Sequence, residues 1–137
     1  MTTKSVENTK PIPDTSRDVP FWEGLKSKQF KLYKCQNCST FYYPEQKCIS
    51  CKEPTMEWVA TSGRGKIYTF IIMHQLYNPA FQKDIPYNVS IIELDEGPMI
   101  MSNITNSENE DIKIGKNVEV VFNKVNSDVT THSFKLV

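Results

Sequence analysis

Short segments rich in apolar and β-branched residues recur along the chain after position 62, with polar turn residues between them. Five such segments, at 66–74, 87–94, 99–105, 118–125 and 129–136, have the length and composition of strands. Turn signals such as the Asp95 to Pro98 stretch separate them. No strong helical pattern intervenes, so the segments predict a five-stranded closed barrel of the OB type. A five-stranded sandwich, which leaves strand edges to protect, is the alternative.

The pattern before position 62 predicts a smaller β module. Residues 29–34 alternate in polarity and form a strand candidate that ends next to Cys35, with a return strand at 41–43 and a third strand at 56–60. These strands would pass between and around two cysteine pairs, which is the layout of a zinc ribbon. Gly63 and Gly65 then mark a tight bend or bulge. We place the boundary between the two modules there.

A short helix is predicted ahead of the ribbon. Asp18 is placed to accept hydrogen bonds from the first free backbone N–H groups, and Pro20 lies where no N–H is needed. Phe21, Trp22 and Leu25 make one apolar stripe. The fold class is therefore mainly β, and we expect a flexible arm over 1–15, helix and zinc ribbon over 16–62, and the OB-fold barrel over 63–137.

Charge narrows the classes of function. Sixteen basic and sixteen acidic residues cancel, so the chain lacks the positive field that attracts phosphate backbones, which disfavours nucleic-acid binding. No apolar run is long enough for a membrane helix or a signal peptide, and we expect a cytoplasmic protein with no membrane partner. No nucleophile, phosphate-loop or dinucleotide motif is present, so we expect no catalytic residues.

The strongest chemical signal is the pair of C-x2-C motifs, whose nine-residue separation lets a hairpin bring four thiolates around one ion. The predicted ligands of a structural Zn²⁺ are Cys35, Cys38, Cys48 and Cys51. Four thiolates fill the tetrahedron, which leaves no position for catalytic water. Rubredoxin-like iron is the alternative metal, and buried cysteines without metal are the other reading. Ser39 and Lys52 stand where such knuckles commonly carry glycine.

Two further features have weaker signals. Arg64 and Lys66 place cations beside Gly65, either as a phosphate or nucleotide contact or as solvated charges on a β-bulge. The 75–86 loop carries unusual apolar surface in Leu76, Tyr77, Phe81 and Ile85. These side chains form either a binding surface or a cap on the barrel. We interpret His74 and His132 as ordinary strand residues, and the N-terminal aromatic residues as core in preference to base-stacking groups.

Beyond these motifs, the chain resembles the family known as domain of unknown function thirty-five, acyl-CoA-associated proteins that join a rubredoxin-like zinc ribbon to an OB fold. The resemblance covers about residues 18 to 125. It rests on Phe21 to Leu25, on the cysteine pairs with Tyr43 and Pro44 between them, on Ser62 to Phe70, on Pro86 and Tyr87, on Glu93 to Pro98, and on Ile114 and Gly115 before Val118 to Phe122.

The resemblance implies a non-catalytic partner of thiolase-fold or hydratase-fold enzymes that act on acyl-CoA, in archaea and some bacteria. Small archaeal members of this kind bridge acetoacetyl-CoA thiolase and hydroxymethylglutaryl-CoA synthase. On this basis we expect Arg64 and Lys66 to approach the phosphates of coenzyme A, and Tyr77 and Phe81 to lie on the acyl or partner-facing side. A single-stranded nucleic-acid binder and an iron-containing electron carrier are the rival hypotheses.

Overall fold

A computed structural model of the chain describes residues 10–137, which form one short helix and nine strands. Helix α1 spans Val19–Lys26. The strands are β1 (Phe30–Cys35), β2 (Phe41–Tyr42), β3 (Met56–Thr61), β4 (Arg64–Met73), β5 (Tyr87–Leu94), β6 (Met99–Ser102), β7 (Ile104–Thr105), β8 (Asn117–Lys124) and β9 (Thr130–Leu136). Single turns of 3₁₀ helix lie at Pro79–Phe81 and Asn109–Asp111. The chain is mainly β, as the sequence predicts.

The ribbon is a three-stranded antiparallel sheet in the order β2-β1-β3. Its central strand β1 ends at Cys35, which it pairs with Met56 of β3. Further along the same pair of strands, the rings of Tyr33 and Trp58 lie opposite each other with centroids 4.9 Å apart. The sheet therefore fixes the backbone from which the cysteine knuckles project.

The remaining strands form the OB-type barrel. Strand β4 lies between β5 and β8, β6 pairs with β5, and β9 pairs with β8. The third predicted strand, 99–105, is split at Asn103 into β6 and β7, and β7 pairs in parallel with β9. The backbone oxygen of Asn103 accepts a hydrogen bond from Phe134 N at 2.9 Å. The bend lets one segment serve two partner strands and so closes the sheet.

One hydrophobic core joins the helix, the ribbon and the barrel. Phe21 and Leu25 of α1 are fully buried, as are Leu32 of β1 and Phe134 of β9. Phe30 lies between the two modules, with its ring centroid 5.6 Å from that of Phe21 and 6.0 Å from that of Phe134. The aromatic residues of the N-terminal part thus pack mainly in the core. Few of them are left exposed to stack on nucleic-acid bases.

The predicted side-chain cap of α1 is wrong. Asp18 has a left-handed backbone (φ 52°), and its carboxylate makes no hydrogen bond to the first turn of the helix. It accepts instead from the backbone N–H of Glu45 at 3.2 Å, which ties the start of the helix to the ribbon. The backbone oxygen of Asp18 accepts from Phe21 N at 2.9 Å. The helix is positioned by tertiary contacts and by burial of its apolar stripe.

The predicted bend at the two glycines is present between β3 and β4. Gly63 has φ +71°, and a Cβ there would lie 2.5 Å from Cγ1 of Val120. At Gly65 a Cβ would overlap the backbone oxygen of Glu93. The predicted bulge follows in β4, between Ile67 and Thr69. Both glycines are thus required by close approach of neighbouring strands.

Part of the predicted arm, residues 1–9, lies outside the described residues. Residues 10–15 have neither helix nor strand. Lys10 reaches the loop between β4 and β5, where its ammonium lies 2.6 Å from the Asp84 carboxylate and 5.5 Å from the centroid of the Phe81 ring. Within residues 10–137, no helix has the length and apolarity that a membrane span requires.

Candidate metal centre and binding surfaces

The four predicted cysteine ligands meet at one end of the ribbon. Their sulfur atoms all lie within 4.8 Å of one another. Cys35 Sγ is 3.8 Å from Cys51 Sγ, and Cys38 Sγ is 3.6 Å from Cys48 Sγ. A tetrahedron with Zn–S bonds of about 2.3 Å has edges of about 3.8 Å, whereas a disulfide bond is about 2.05 Å long. The sulfur arrangement therefore matches a tetrahedral metal site.

The chemistry of the donor set also fits a cation. The Cys48 thiol has its pKa lowered to about 6, chiefly because the Tyr42 hydroxyl hydrogen-bonds to its sulfur. The pKa of Cys51 is raised to about 12, first by its hydrogen bond with Cys38 and then by desolvation. Four thiols this close cannot all ionise without a compensating positive charge. The cluster can thus hold a metal ion as four thiolates.

Two side-chain hydroxyls contact two of the four sulfurs. The Tyr42 hydroxyl donates to Cys48 Sγ at 3.4 Å and accepts from the backbone N–H of Ile49 at 3.2 Å. The Thr40 hydroxyl lies 3.2 Å from Cys38 Sγ. Ser39, between Cys38 and Thr40, adopts the left-handed backbone (φ 64°) usual for glycine. Neither hydroxyl contact was predicted from the sequence. The signal that could have indicated them is a hydroxyl side chain two residues from a cysteine or on the return strand.

Arg64 and Lys66 lie on the outward side of the first part of β4, and both are exposed. The Nε atom of Arg64 is 3.9 Å from the Glu119 carboxylate, which also lies 3.4 Å from Lys135 Nζ. Lys66 pairs in register with Glu93 on one side and Asn117 on the other. These cations are therefore close to carboxylates in an exposed, mixed-charge region.

The 75–86 loop divides into an exposed and a partly buried half. Leu76 is 39% exposed and Tyr77 is 73% exposed, and the Tyr77 hydroxyl donates to Gln75 at 3.1 Å. Phe81 and Ile85 are half-buried, and the Phe81 ring lies 5.8 Å from the Tyr87 ring. Part of the loop thus packs against the barrel, and part presents exposed apolar side chains.

The four residues expected to contact coenzyme A are not brought together. Arg64 and Lys66 begin β4, while Tyr77 and Phe81 follow its end at Met73. Ten residues of strand span about 30 Å at about 3.3 Å per residue. Phe81 lines a groove of about 650 Å³, together with Tyr87, Asn88, Ser102 and Asn106. The cations and the loop therefore lie at opposite ends of one strand.

His132, on β9, is half-buried among the rings of Phe21, Phe30 and Phe134, with centroids 6.0 to 6.2 Å away. Its Nδ1 atom is 2.9 Å from the Ser102 hydroxyl. Burial lowers its pKa to about 4, so the ring is neutral at pH 7. The interpretation of His74 as a strand residue is wrong: it is exposed and follows the end of β4, at the start of the loop. A core histidine bonded to one serine fits the interpretation of His132 as a strand residue.

Comparison with known proteins gives concordant matches. The family model described as the ChsH2 C-terminal OB-fold domain matches residues 58–123. A DUF35 domain-containing scaffold protein of Methanocaldococcus jannaschii is 36% identical over 124 residues, which cover 85% of this chain and 87% of the relative.

Two further matches are a relative named as a hydratase subunit and a solved structure named as an aldolase. A probable enoyl-CoA hydratase alpha subunit of Thermomonospora curvata is 29% identical over 128 residues, which are 92% of this chain but 40% of that protein. Among solved structures, a chain of the Ltp2-ChsH2(DUF35) aldolase superposes with a TM-score of 0.78 at 25% identity, covering 93% of this chain and 98% of the other.

Proposed function

This chain belongs to the family of DUF35 domain-containing scaffold proteins, and we propose on that basis that it is a non-catalytic accessory subunit for an enzyme that acts on acyl-CoA thioesters. The observation that carries the proposal is the hydratase relative. There, a segment similar to 92% of this chain makes up 40% of an alpha subunit named for an acyl-CoA substrate. A separate chain of the same fold would supply the same function without covalent linkage.

The exposed part of the 75–86 loop supports this role. Leu76 and Tyr77 present apolar surface on a loop whose other half is anchored against the barrel. Aromatic residues held on a rigid support lose little conformational freedom on binding and are common at interface centres. A thiolase-type or hydratase-type subunit is the proposed partner. The finer proposal is a bridge between acetoacetyl-CoA thiolase and hydroxymethylglutaryl-CoA synthase.

The test is purification of the tagged protein from its own cells at mild ionic strength, after nuclease treatment, with co-purifying proteins identified by mass spectrometry. We expect thiolase, hydroxymethylglutaryl-CoA synthase or hydratase subunits in stoichiometric amounts. Recovery of nucleic-acid-binding proteins alone, together with salt-dependent binding of a single-stranded oligonucleotide, would replace the proposal with its nucleic-acid rival.

For the metal, we propose structural Zn²⁺ held by Cys35, Cys38, Cys48 and Cys51. The four sulfurs leave no open coordination position, which suits a structural ion. Elemental analysis of protein purified without chelator should give one zinc per chain and a colourless solution. Stoichiometric iron with visible absorption would overturn zinc and support an electron carrier.

For the ligand, we propose that Arg64 and Lys66 contact the phosphates of coenzyme A, while Tyr77 and Phe81 lie on the acyl or partner-facing side. The distance along β4 means that no compact ligand touches all four, so the partner enzyme would complete the site between them. We expect Arg64→Glu to weaken coenzyme A binding about tenfold in titration calorimetry of the complex, with Lys124→Glu as the charge-matched control. Equal affinity in both variants, or no binding by the parent, would reject these contacts.

A further inference from the structure

The outward side of β4, β5 and β6 carries a group of neighbouring apolar side chains. Alternate residues of β5 are buried, so Tyr87, Val89, Ile91 and Glu93 face outward. Across the strands, Ile71 pairs with Val89, and Ile91 pairs with both Thr69 and Met101. We call this surface the apolar face, and it is formed by Tyr68, Ile71, Val89, Ile91, Met99 and Met101.

The apolar face is exposed. Met101 is 65% exposed, Ile71 56%, Tyr68 52% and Met99 42%. An antiparallel sheet with one solvated side normally carries polar residues on that side, and any exposed apolar residues there are isolated from one another. In this barrel the exposed apolar residues are neighbours across three strands. Within the described strands β4 to β6, two charged residues of opposite sign share these rows: Lys66 and Glu93 pair in register with each other at one end of the face, where Glu93 also pairs with Met99.

The opposite part of the barrel shows the usual arrangement. Arg64, Glu119 and Lys135 lie in one cross-strand row on β4, β8 and β9, and Glu119 lies within 4 Å of both cations. The same barrel therefore has a charged outer surface on one side and the apolar face on the other. Strand β4 contributes to both surfaces. The two surfaces therefore differ because the strands on either side of β4 place different side chains beside it.

We propose that the apolar face is the docking surface for the acyl-CoA enzyme subunit, and that the partner meets it with an uncharged, apolar surface. This inference rests on the proposed function. In OB folds the face of strands 2 and 3, which are β5 and β6 here, and the loop after strand 1 commonly bind ligands. The six residues of the face carry no positive charge that could bind a phosphate backbone or an anionic lipid. The lack of positive charge excludes these ligands and leaves an apolar protein surface as the complementary occupant.

The position of the apolar face beside the 75–86 loop and its two methionines also suit a protein partner. Strand β4 runs from the apolar face directly into the loop that carries Leu76 and Tyr77, so the two exposed apolar regions are contiguous along the chain. Met99 and Met101 lie on β6, which pairs only with β5 in the described sheet. Methionine side chains adapt to irregular surfaces, which suits a contact with a separately folded subunit.

The test uses the whole chain co-expressed with the acyl-CoA enzyme subunit that the parent protein retains. Met101→Glu places one negative charge at the centre of the apolar face, and Lys135→Gln changes the net charge by the same amount on the other side of the barrel. Both sites are exposed, so both variants should keep the parent's melting temperature. We expect at least a tenfold loss of bound subunit for Met101→Glu and none for Lys135→Gln.

A photo-crosslinking residue at 101, and in a second preparation at 135, locates the contact directly. A crosslink to the enzyme subunit from 101 but not from 135 supports the proposal. Equal retention of the subunit by both charge variants overturns the docking surface but leaves the proposed function in place. A crosslink from 101 to a second copy of the chain assigns the face to self-association and also overturns it. A parent protein that retains no acyl-CoA enzyme subunit overturns both proposals.

Discussion

The hydroxyl groups of Thr40 and Tyr42 contact sulfur atoms of the two knuckles, and both knuckles lack glycine after the second cysteine. Tyr42 contacts both Cys48 Sγ and the N–H of Ile49, so it fixes the ligand and the backbone beside it. Hydrogen bonds to a thiolate stabilise its charged form and hold its orientation. The two hydroxyls would therefore strengthen a metal site that the sequence alone marks as atypical.

Replacement of Tyr42 by phenylalanine removes the hydroxyl and keeps the ring. We expect Tyr42→Phe to bind zinc about tenfold more weakly, because outer contacts of metal ligands typically contribute about 10- to 100-fold in affinity. Competition with a chromophoric chelator measures the affinity. Tyr68→Phe, on the barrel, removes a hydroxyl far from the cysteines and serves as control. Identical affinities for the two variants would show that the Tyr42 contact has no effect on the metal.

His132 should make stability depend on acid. Its pKa is about 4 in the folded chain against about 6.5 when unfolded, because the ring is buried among phenylalanines. The unfolded chain therefore binds the proton more tightly, and stability present above pH 6.5 is lost as the pH falls towards 4. The loss is about 3 kcal/mol over that interval, at about 1.4 kcal/mol per pH unit.

Urea unfolding at several pH values measures this loss in zinc-loaded protein. Protonation of the cysteines also acts at low pH, but it is common to all variants, so the informative quantity is a difference. His132→Gln should flatten the pH dependence relative to the parent, whereas His74→Gln, at an exposed position, should not change it. Parallel curves for the parent and His132→Gln would contradict the assignment.

The connection between ribbon and barrel, at residues 62–64, has little conformational freedom. The Ser62 N–H donates to the Glu96 carboxylate at 3.0 Å, and the Ser62 hydroxyl accepts from Arg64 N at 3.2 Å. Between them Gly63 approaches Val120 closely, and its oxygen accepts from Val120 N at 2.8 Å. The turn of the β5–β6 hairpin and the middle of β8 thus hold the connection from two sides.

Comparing alanine substitutions at two glycines with positive φ distinguishes the cost of backbone strain from the cost of steric overlap. Gly63 (φ +71°) faces Val120, while a Cβ added at Gly115 (φ +90°) would have no neighbouring atom within 4 Å. Alanine at either position meets the left-handed penalty of about 1 kcal/mol. We expect Gly63→Ala to cost at least about 1 kcal/mol more than Gly115→Ala in chemical denaturation, because it also displaces Val120. Equal costs would mean that the connection relaxes freely.

The strands and the cluster of four cysteines could be predicted from the sequence because both depend on local patterns. The break at Asn103 could not, since it follows from the need of one segment to pair with both β5 and β9. The cap at Asp18 was predicted wrongly because the carboxylate has a distant competitor, the N–H of Glu45. The apolar face could not be predicted without the register of three strands, although the uninterrupted uncharged segment 67–73 indicated part of it.

At the scale of the whole molecule, the helix, ribbon and barrel share one core. Phe30 contacts Phe21 on one side and Phe134 on the other, so the ribbon strand completes the barrel's packing. The charged and apolar sides of the barrel lie outside this core. Binding of a metal at the ribbon and docking at the barrel would therefore act on a single structural unit.

Metal removal tests how far the stability of that unit depends on the ribbon. Zinc-binding free energy becomes folding free energy and reaches about 10 to 16 kcal/mol in isolated structural sites. We expect chelation to lower the melting temperature by more than about 10 °C, with amides of β1 to β3 the first to exchange with deuterium. Added zinc should reverse both effects. An unchanged melting temperature after verified metal loss would mean that the site does not stabilise the fold.

The contact between strand β1 and strand β9 has a consequence for synthesis on the ribosome. Phe21, Leu25 and Phe30 emerge early, but Phe134, which packs against Phe30, lies on the last strand, β9. At about 5 to 20 residues per second, roughly 5 to 20 seconds pass between the synthesis of Phe30 and that of Phe134. The nascent chain must remain unaggregated through that interval, so its production should depend on chaperone supply more than its small size suggests.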